Sequence, residues 1–263
     1  MSNCIICDEA KESTSIEHIL PEGFGNKFYV LAPGIICNDC NNRFSKFEDK
    51  ALSSSIFALE RARAGIATKK GKNVKGSVKE LNFTGDEEFR KGIVKVEGLD
   101  ENKNVSNFDP VKGTFKLTVQ GFDKSEAATT KLLLKMGFES IFYSRKDVYN
   151  KYEFTKLKQY LKGETNKDWG FISAKQEIGK FNSVPKFNDK DRLNRLRCIL
   201  RYQEKSTNEL LFRFQYLGIS FIINLLSRKL SWIEEYKAGE KHVWIYPNHF
   251  EERYKKGKLF LLL

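Results

Sequence analysis

Four of the five cysteines stand as two Cys-x-x-Cys pairs, Cys4/Cys7 and Cys37/Cys40, with 29 residues between them. Two such turns offer four thiolates, the ligand set that encloses a tetrahedral zinc ion and leaves no open position. Four merely reduced cysteines are the plainer alternative. The interval is longer than the roughly 15–20 residues of the common zinc-ribbon spacing, so it has room for an inserted functional loop. Inside it lies Glu17-His18-Ile19-Leu20-Pro21, followed by Gly23 and Gly25, and directly after the last cysteine come Asn41 and Asn42. An isolated histidine is more often a core residue than a reactive one. This one has Glu17, Pro21 and two knuckle turns for company. The fifth thiol, Cys198, lies in an apolar stretch and reads as a small buried hydrophobe.

Taken together, Cys4-x-x-Cys7, Glu17-His18-Ile19-x-Pro21 and Cys37-x-x-Cys40-Asn41-Asn42, then Phe44, Lys46 and Glu48, form a composite that resembles the HNH, or ββα-metal, endonuclease family over about residues 4–62. The resemblance implies two short strands carrying an acidic residue and a histidine, a zinc knuckle bracing them, and a helix that starts near the second cysteine pair. It implies that His18 is the general base that takes a proton from the water attacking a phosphodiester. An imidazole with an unperturbed pKa of about 6.5 suits that task, and activity should fall as pH drops below it. By the same resemblance Glu17 and Asn41 would hold one Mg²⁺ or another divalent ion through hard oxygen donors, and Arg43 and Lys46 would contact phosphate. The family often has an asparagine shortly before the second cysteine pair, where this chain reads Ala32-Pro33-Gly34-Ile35-Ile36. Asn26 is the candidate substitute, and Asn42 competes with Asn41 for the amide role.

These side chains need elements to position them. The spacing of Phe44, Phe47, Ala51, Ala58 and Ala62 predicts a helix from Asp39 onward, with Gly65 placed to end it. Residues 66–82 are poor in large apolar groups and rich in Lys and Gly, which predicts a linker or exposed loop. Further on, 92–98 and 114–120 alternate apolar and polar residues as strands do, and 123–145 and 152–161 read as helices. Segments 193–202, 209–215 and 219–226 read as strands, and the all-apolar Leu259–Leu263 predicts a final strand or an interface. The class is therefore α+β: a nuclease module over 1–65, a basic linker over 66–82, and a mixed α+β domain over 83–263 that binds DNA, senses, or dimerises.

Lys and Arg number 46 against 34 Asp and Glu, a formal net charge of +12. The excess is uneven: residues 1–60 carry five basic and nine acidic side chains (net −4), and the rest of the chain carries net +16. From Arg61 to Glu80 seven basic residues face one acidic. Lys69, Lys70 and Lys72 are the candidate phosphate contacts there, with a solvated helix end as the bland alternative. No apolar run approaches the roughly 20 residues of a membrane span, and Met1 leads directly into Ser2, Asn3 and Cys4, which predicts a cytoplasmic chain. His242 and His249 sit among aromatics and read as packing or surface residues. The expected function is metal-dependent hydrolysis of DNA, in restriction or anti-phage defence, with DNA, a second copy of the chain and a defence-system protein as partners. The rival is a catalytically inactive zinc-knuckle DNA-binding or adaptor protein.

Overall fold

The structure is a computed structural model. It describes residues 3–78, 81–98, 106–109, 111–112, 114–116, 122, 125–165, 167–174, 180–237, 243–247 and 249. The apolar end Leu259–Leu263, His242 and the second half of the 114–120 strand lie outside the described residues. In chain order the elements are β1 (Glu17–His18), β2 (Val30–Leu31), α1 (Asn38–Leu52), α2 (Ser55–Arg63), β3 (Lys75–Val78), β4 (Leu81–Gly85), β5 (Val94–Glu97), β6 (Ser106–Asp109), β7 (Thr114–Lys116) and α3 (Glu126–Ser144). They continue with α4 (Lys146–Lys151), α5 (Thr155–Lys162), β8 (Phe171–Ala174), β9 (Asn182–Ser183), α6 (Phe187–Arg195), β10 (Cys198–Ser206), β11 (Glu209–Tyr216), β12 (Ile219–Asn224), α7 (Glu234–Lys237) and β13 (Val243–Tyr246). The protein is mixed α+β. Among the described residues no helix is long and apolar enough to cross a membrane.

Two compact units form, and they are not consecutive in sequence: one comprises residues 1–20, 26–48 and 126–263, the other residues 21–25 and 49–125. The first is built on an antiparallel sheet in the order β13-β8-β12-β11-β10-β9. Tyr216 and Ile219 close the β11–β12 hairpin, and the two residues between them, Leu217 and Gly218, both have positive φ (50° and 96°). That is the twist a two-residue hairpin turn requires. Strands β11 and β12 at the centre are covered on both faces and buried almost throughout, whereas β10 nearer the edge alternates buried and more exposed residues. On one face Ile172, Leu211, Ile222 and Ile245 pack against Trp232, Ile233 and Tyr236.

Helix α3 covers the other face, where Phe212 and Ile223 are paired across β11 and β12. It is apolar around most of its circumference, as a helix buried on all sides must be. Its close approach to the sheet depends on Gly137, where a Cβ would fall 2.7 Å from Leu225 Cδ2 and 2.8 Å from Phe212 Cγ. A Gly137→Ala chain gains up to about 1 kcal/mol of helix propensity but must push the Phe212 ring aside, an overpacking cost of about 1–3 kcal/mol. We expect a net loss, read as a lower denaturant midpoint with an unchanged slope; a midpoint equal to or above wild type would show that α3 sits further from the sheet.

In the second unit, β3, β4 and β5 form an antiparallel sheet against which α2 packs Ala58 and Ala62 over Val74 and Phe83. Two sequence expectations change here. The helix predicted from Asp39 to Gly65 is two helices, because Ser54 is extended (φ −59°, ψ 146°) and Ser53 and Ser54 close the last turn of α1 through Asp49 and Ala51. Gly65, at φ +66°, does end α2. In the basic stretch, Thr68 accepts from Gly71 and donates to the Lys72 carbonyl in a tight turn that exposes Lys69, Lys70 and Lys72. Strand β3 then begins at Lys75. In the first unit the strand predicted over 193–202 starts only at Cys198, since α6 runs to Arg195 and Arg197 turns the chain at φ 56°.

Candidate active site and zinc knuckle

The four sulfurs of Cys4, Cys7, Cys37 and Cys40 lie within 4.8 Å of one another, and Cys7 Sγ is 3.8 Å from Cys37 Sγ. A zinc–sulfur bond of about 2.3 Å places the corners of a regular tetrahedron about 3.8 Å apart, so the donors fit such an ion with small adjustments. Local backbone geometry makes the two turns. Asp8, at φ 61°, folds back so that its N–H donates to the Cys4 carbonyl (2.9 Å) while the Cys4 N–H donates to the Glu9 carbonyl (3.0 Å). The Cys37 carbonyl accepts from the Asn41 N–H (3.0 Å), which puts the second pair at the N-terminus of α1, where the helix dipole favours thiolates. A hydrogen bond from Cys40 pulls the Cys4 thiol down to about 4, and the same shared proton pushes Cys40 far up.

The knuckle holds a short ladder. Glu17 pairs with Leu31 and His18 with Val30. Asn38, at the start of α1, accepts from the Thr14 N–H (3.2 Å) and the Ser15 hydroxyl (3.1 Å), and Asn41 Nδ2 donates to Ser15 Oγ (2.8 Å). Helix α1 is thus bonded to the segment that enters β1, and Asn41 keeps the lone pairs of Oδ1 to offer an ion. Residues 4–57 match the HNH endonuclease family model. No curated protein and no solved structure matches the chain.

Within residues 4–57 the expected residues take different positions. His18 is half-buried. Glu17 is 3% exposed, and its Oε1 lies 2.5 Å from the ammonium of Lys135 on α3. That same Nζ is 2.6 Å from Glu48 Oε1, 3.5 Å from Glu139 Oε2 and 2.6 Å from the backbone oxygen of His18. Burial works against this ammonium, yet the three carboxylates hold Lys135 charged well above the usual lysine range. Burial pushes the Glu139 carboxyl far above the usual carboxylate range. Breaking such a buried cluster by removing its cation typically costs about 3–5 kcal/mol.

Arg43 and Lys46 are exposed on α1. Burial, and then the positive charge of Arg43, hold Lys131 below the usual lysine range, so a second cation from α3 stands close to Arg43. Lys69, Lys70 and Lys72 belong to the other compact unit. Asn26, the candidate substitute for the family's amide, braces the loop between β1 and β2. Its Nδ2 donates to the Leu20 and Tyr29 carbonyls and its Oδ1 accepts from the Phe28 and Tyr29 N–H groups, so its bonding capacity is spent there.

Sequence reasoning missed Lys135, Lys131 and Glu139. A Lys and a Glu four apart on a helix read as a solvated pair, and only the surrounding run Leu132-Leu133-Leu134 and Met136 hinted at burial. Cys198 is fully enclosed in β10 and its thiol is pushed up by burial, which leaves it inert. His249 pairs with Asp168 at 2.6 Å on the surface.

Proposed function

We propose that this chain is a metal-dependent endonuclease that hydrolyses phosphodiester bonds in DNA. The observation that carries the reading is the conjunction, within residues 4–57, of a four-sulfur knuckle, the paired strand Glu17–His18 and a helix that presents Asn41, in a segment matching the HNH family. In this reading His18 accepts a proton from the attacking water; the new oxygen–phosphorus bond forms as the bond to the 3′ oxygen breaks, giving a 5′-phosphate and a 3′-hydroxyl. Glu17 and Asn41 would hold one divalent ion, Mg²⁺ first among candidates, with Oε1 of Glu17 already facing Lys135 and Nδ2 of Asn41 already bonded to Ser15. When bound, that ion stabilises negative charge developing on the phosphate and the leaving oxygen. Arg43, Lys46 and Lys131 supply cations for the neighbouring phosphates.

The exposed turn carrying Lys69, Lys70 and Lys72 extends the reading to the second unit. Each phosphate contact contributes a slope of about −0.9 to the dependence of log affinity on log salt. Replacing all three lysines by alanine is therefore expected to make that slope shallower by about 2–3, as measured by anisotropy on a DNA duplex. An unchanged slope would place the binding face elsewhere. The same reading assigns residues 83–263 to DNA binding, sensing or dimerisation, with a homodimer bringing two sites to one duplex and with restriction or phage defence as the setting. Conversion of supercoiled plasmid to nicked or linear forms with Mg²⁺, and its loss in EDTA, tests the proposal. DNA binding with no conversion under either condition would favour the inactive adaptor.

A further inference from the structure

We propose that Lys135 is a positioning residue of this active site, its buried ammonium fixing the His18 strand against helix α1; the inference rests on the nuclease reading. Three observations carry it. The ammonium contacts the backbone oxygen of His18 and the side chain of Glu17 on β1, and it contacts Glu48 on α1. It therefore sets the separation of the two elements that carry His18 and Glu17 on one side and Asn41, Arg43 and Lys46 on the other. Strand β1 has only two ladder pairs, too few to hold a peptide plane rigidly, so a charge-assisted bond to the His18 carbonyl at 2.6 Å decides how that plane, and with it the Cα–Cβ bond of His18, is directed. Finally, the arrangement is expensive as mere packing. Lys135 is fully buried on a largely buried helix, and the fully buried Glu139 reaches the ammonium only at 3.5 Å, too far for a strong hydrogen bond. Apolar residues of similar volume often match or exceed the stability of a buried ion cluster, so stability alone does not account for a lysine at this place.

Helix α3 is also bound to the loop between β1 and β2, since Tyr29 Oη lies 2.9 Å from Ser144 Oγ. Lys135 sits two and a half turns before that contact, so the helix grips the HNH segment at two separated points and holds the ammonium in register with β1. A displacement of about 1 Å at a reacting group lowers turnover on the order of 100-fold, and loss of a group that orients a catalytic side chain costs about 10–100-fold.

The test compares four chains, each loaded with zinc, on one DNA duplex under single-turnover conditions: wild type, His18→Ala, Glu139→Gln and Lys135→Met/Glu139→Gln. Glu139→Gln keeps every contact of the ammonium to β1 and α1 and should cleave at the wild-type rate. The double variant should be about 100-fold slower, with DNA affinity within threefold of wild type and its zinc retained. A structural role would leave the rate per folded molecule unchanged. If wild type cleaves and the folded, zinc-loaded double variant matches Glu139→Gln within threefold, the role of Lys135 is overturned while the nuclease reading stands. If wild type cleaves no faster than His18→Ala, the nuclease reading itself fails and this role with it. Should the double variant not fold, ¹⁵N-detected NMR of the wild-type lysine ammonium groups decides. The proposal expects one slowly exchanging ammonium coupled to the His18 carbonyl, and its absence rejects the clamp.

Discussion

Replacing His18 by alanine is expected to slow cleavage by about a thousandfold while leaving DNA affinity nearly unchanged. General-base catalysis contributes about 10²–10⁴-fold, and a thousandfold corresponds to about 4 kcal/mol of lost transition-state stabilisation. In the proposed mechanism the imidazole acts on a proton that moves only as the water attacks, so its removal should lower kcat and leave intact the ground-state binding proposed for Arg43, Lys46 and Lys131. His18 is half-buried at the end of a two-residue strand, and truncating its side chain leaves intact the backbone carbonyl that Lys135 holds. The variant should therefore fold. This separates it from Glu17→Ala, which would also remove a partner from the Lys135 ammonium and so mix lost stability with lost chemistry. Asn41→Ala is the cleaner probe of ion binding.

Removing the metal from the knuckle should have an effect of comparable size on folding. Structural zinc in small knuckles contributes about 10–16 kcal/mol of apparent binding free energy, as much as the entire stability of a typical domain, about 5–15 kcal/mol. The strands of the segment it would brace are only two residues long. Purified protein should contain about one tightly bound zinc per chain, and chelation or Cys37→Ser should unfold residues 4–57. The disturbance should spread within the same compact unit, because Asp8 beside the knuckle pairs with Lys158 on α5 and Tyr29 bonds to Ser144 on α3. Soluble, folded, zinc-free protein with unaltered far-ultraviolet circular dichroism would overturn the assignment.

The parts of this site that were legible in the sequence are those encoded locally. Cys-x-x-Cys turns, the Glu17-His18 pair and the start of α1 at Asn38 depend on residues within a few positions of one another, and their spacing carries the geometry. The apolar run through Leu132 to Leu134 announced α3 for the same reason. What stayed hidden depends on contacts across long stretches of chain. Lys135 meets His18 from 117 residues away; the apolar run around it hints at burial, but nothing local names its partners. Asn26 was noted only as a displaced substitute for a family amide, and the backbone groups it satisfies became visible only when the loop closed. Strand β3 lies in the lysine-rich stretch because Gly76 lets the Phe83 ring lie against it: a Cβ there would fall 2.4 Å from that ring. Helix α6 went unread because Phe187 and Leu193 are its only large apolar residues, too few to show a helical period.

The most direct measurement is single-turnover cleavage of an end-labelled DNA duplex by zinc-loaded wild-type protein, with and without a divalent ion, beside His18→Ala at equal DNA occupancy. The account predicts ion-dependent strand cleavage leaving 5′-phosphate and 3′-hydroxyl ends, slowed about a thousandfold in the variant. A wild-type chain that binds the duplex and leaves it intact with Mg²⁺ or Mn²⁺, or a variant that cleaves it as fast as wild type, would contradict the account.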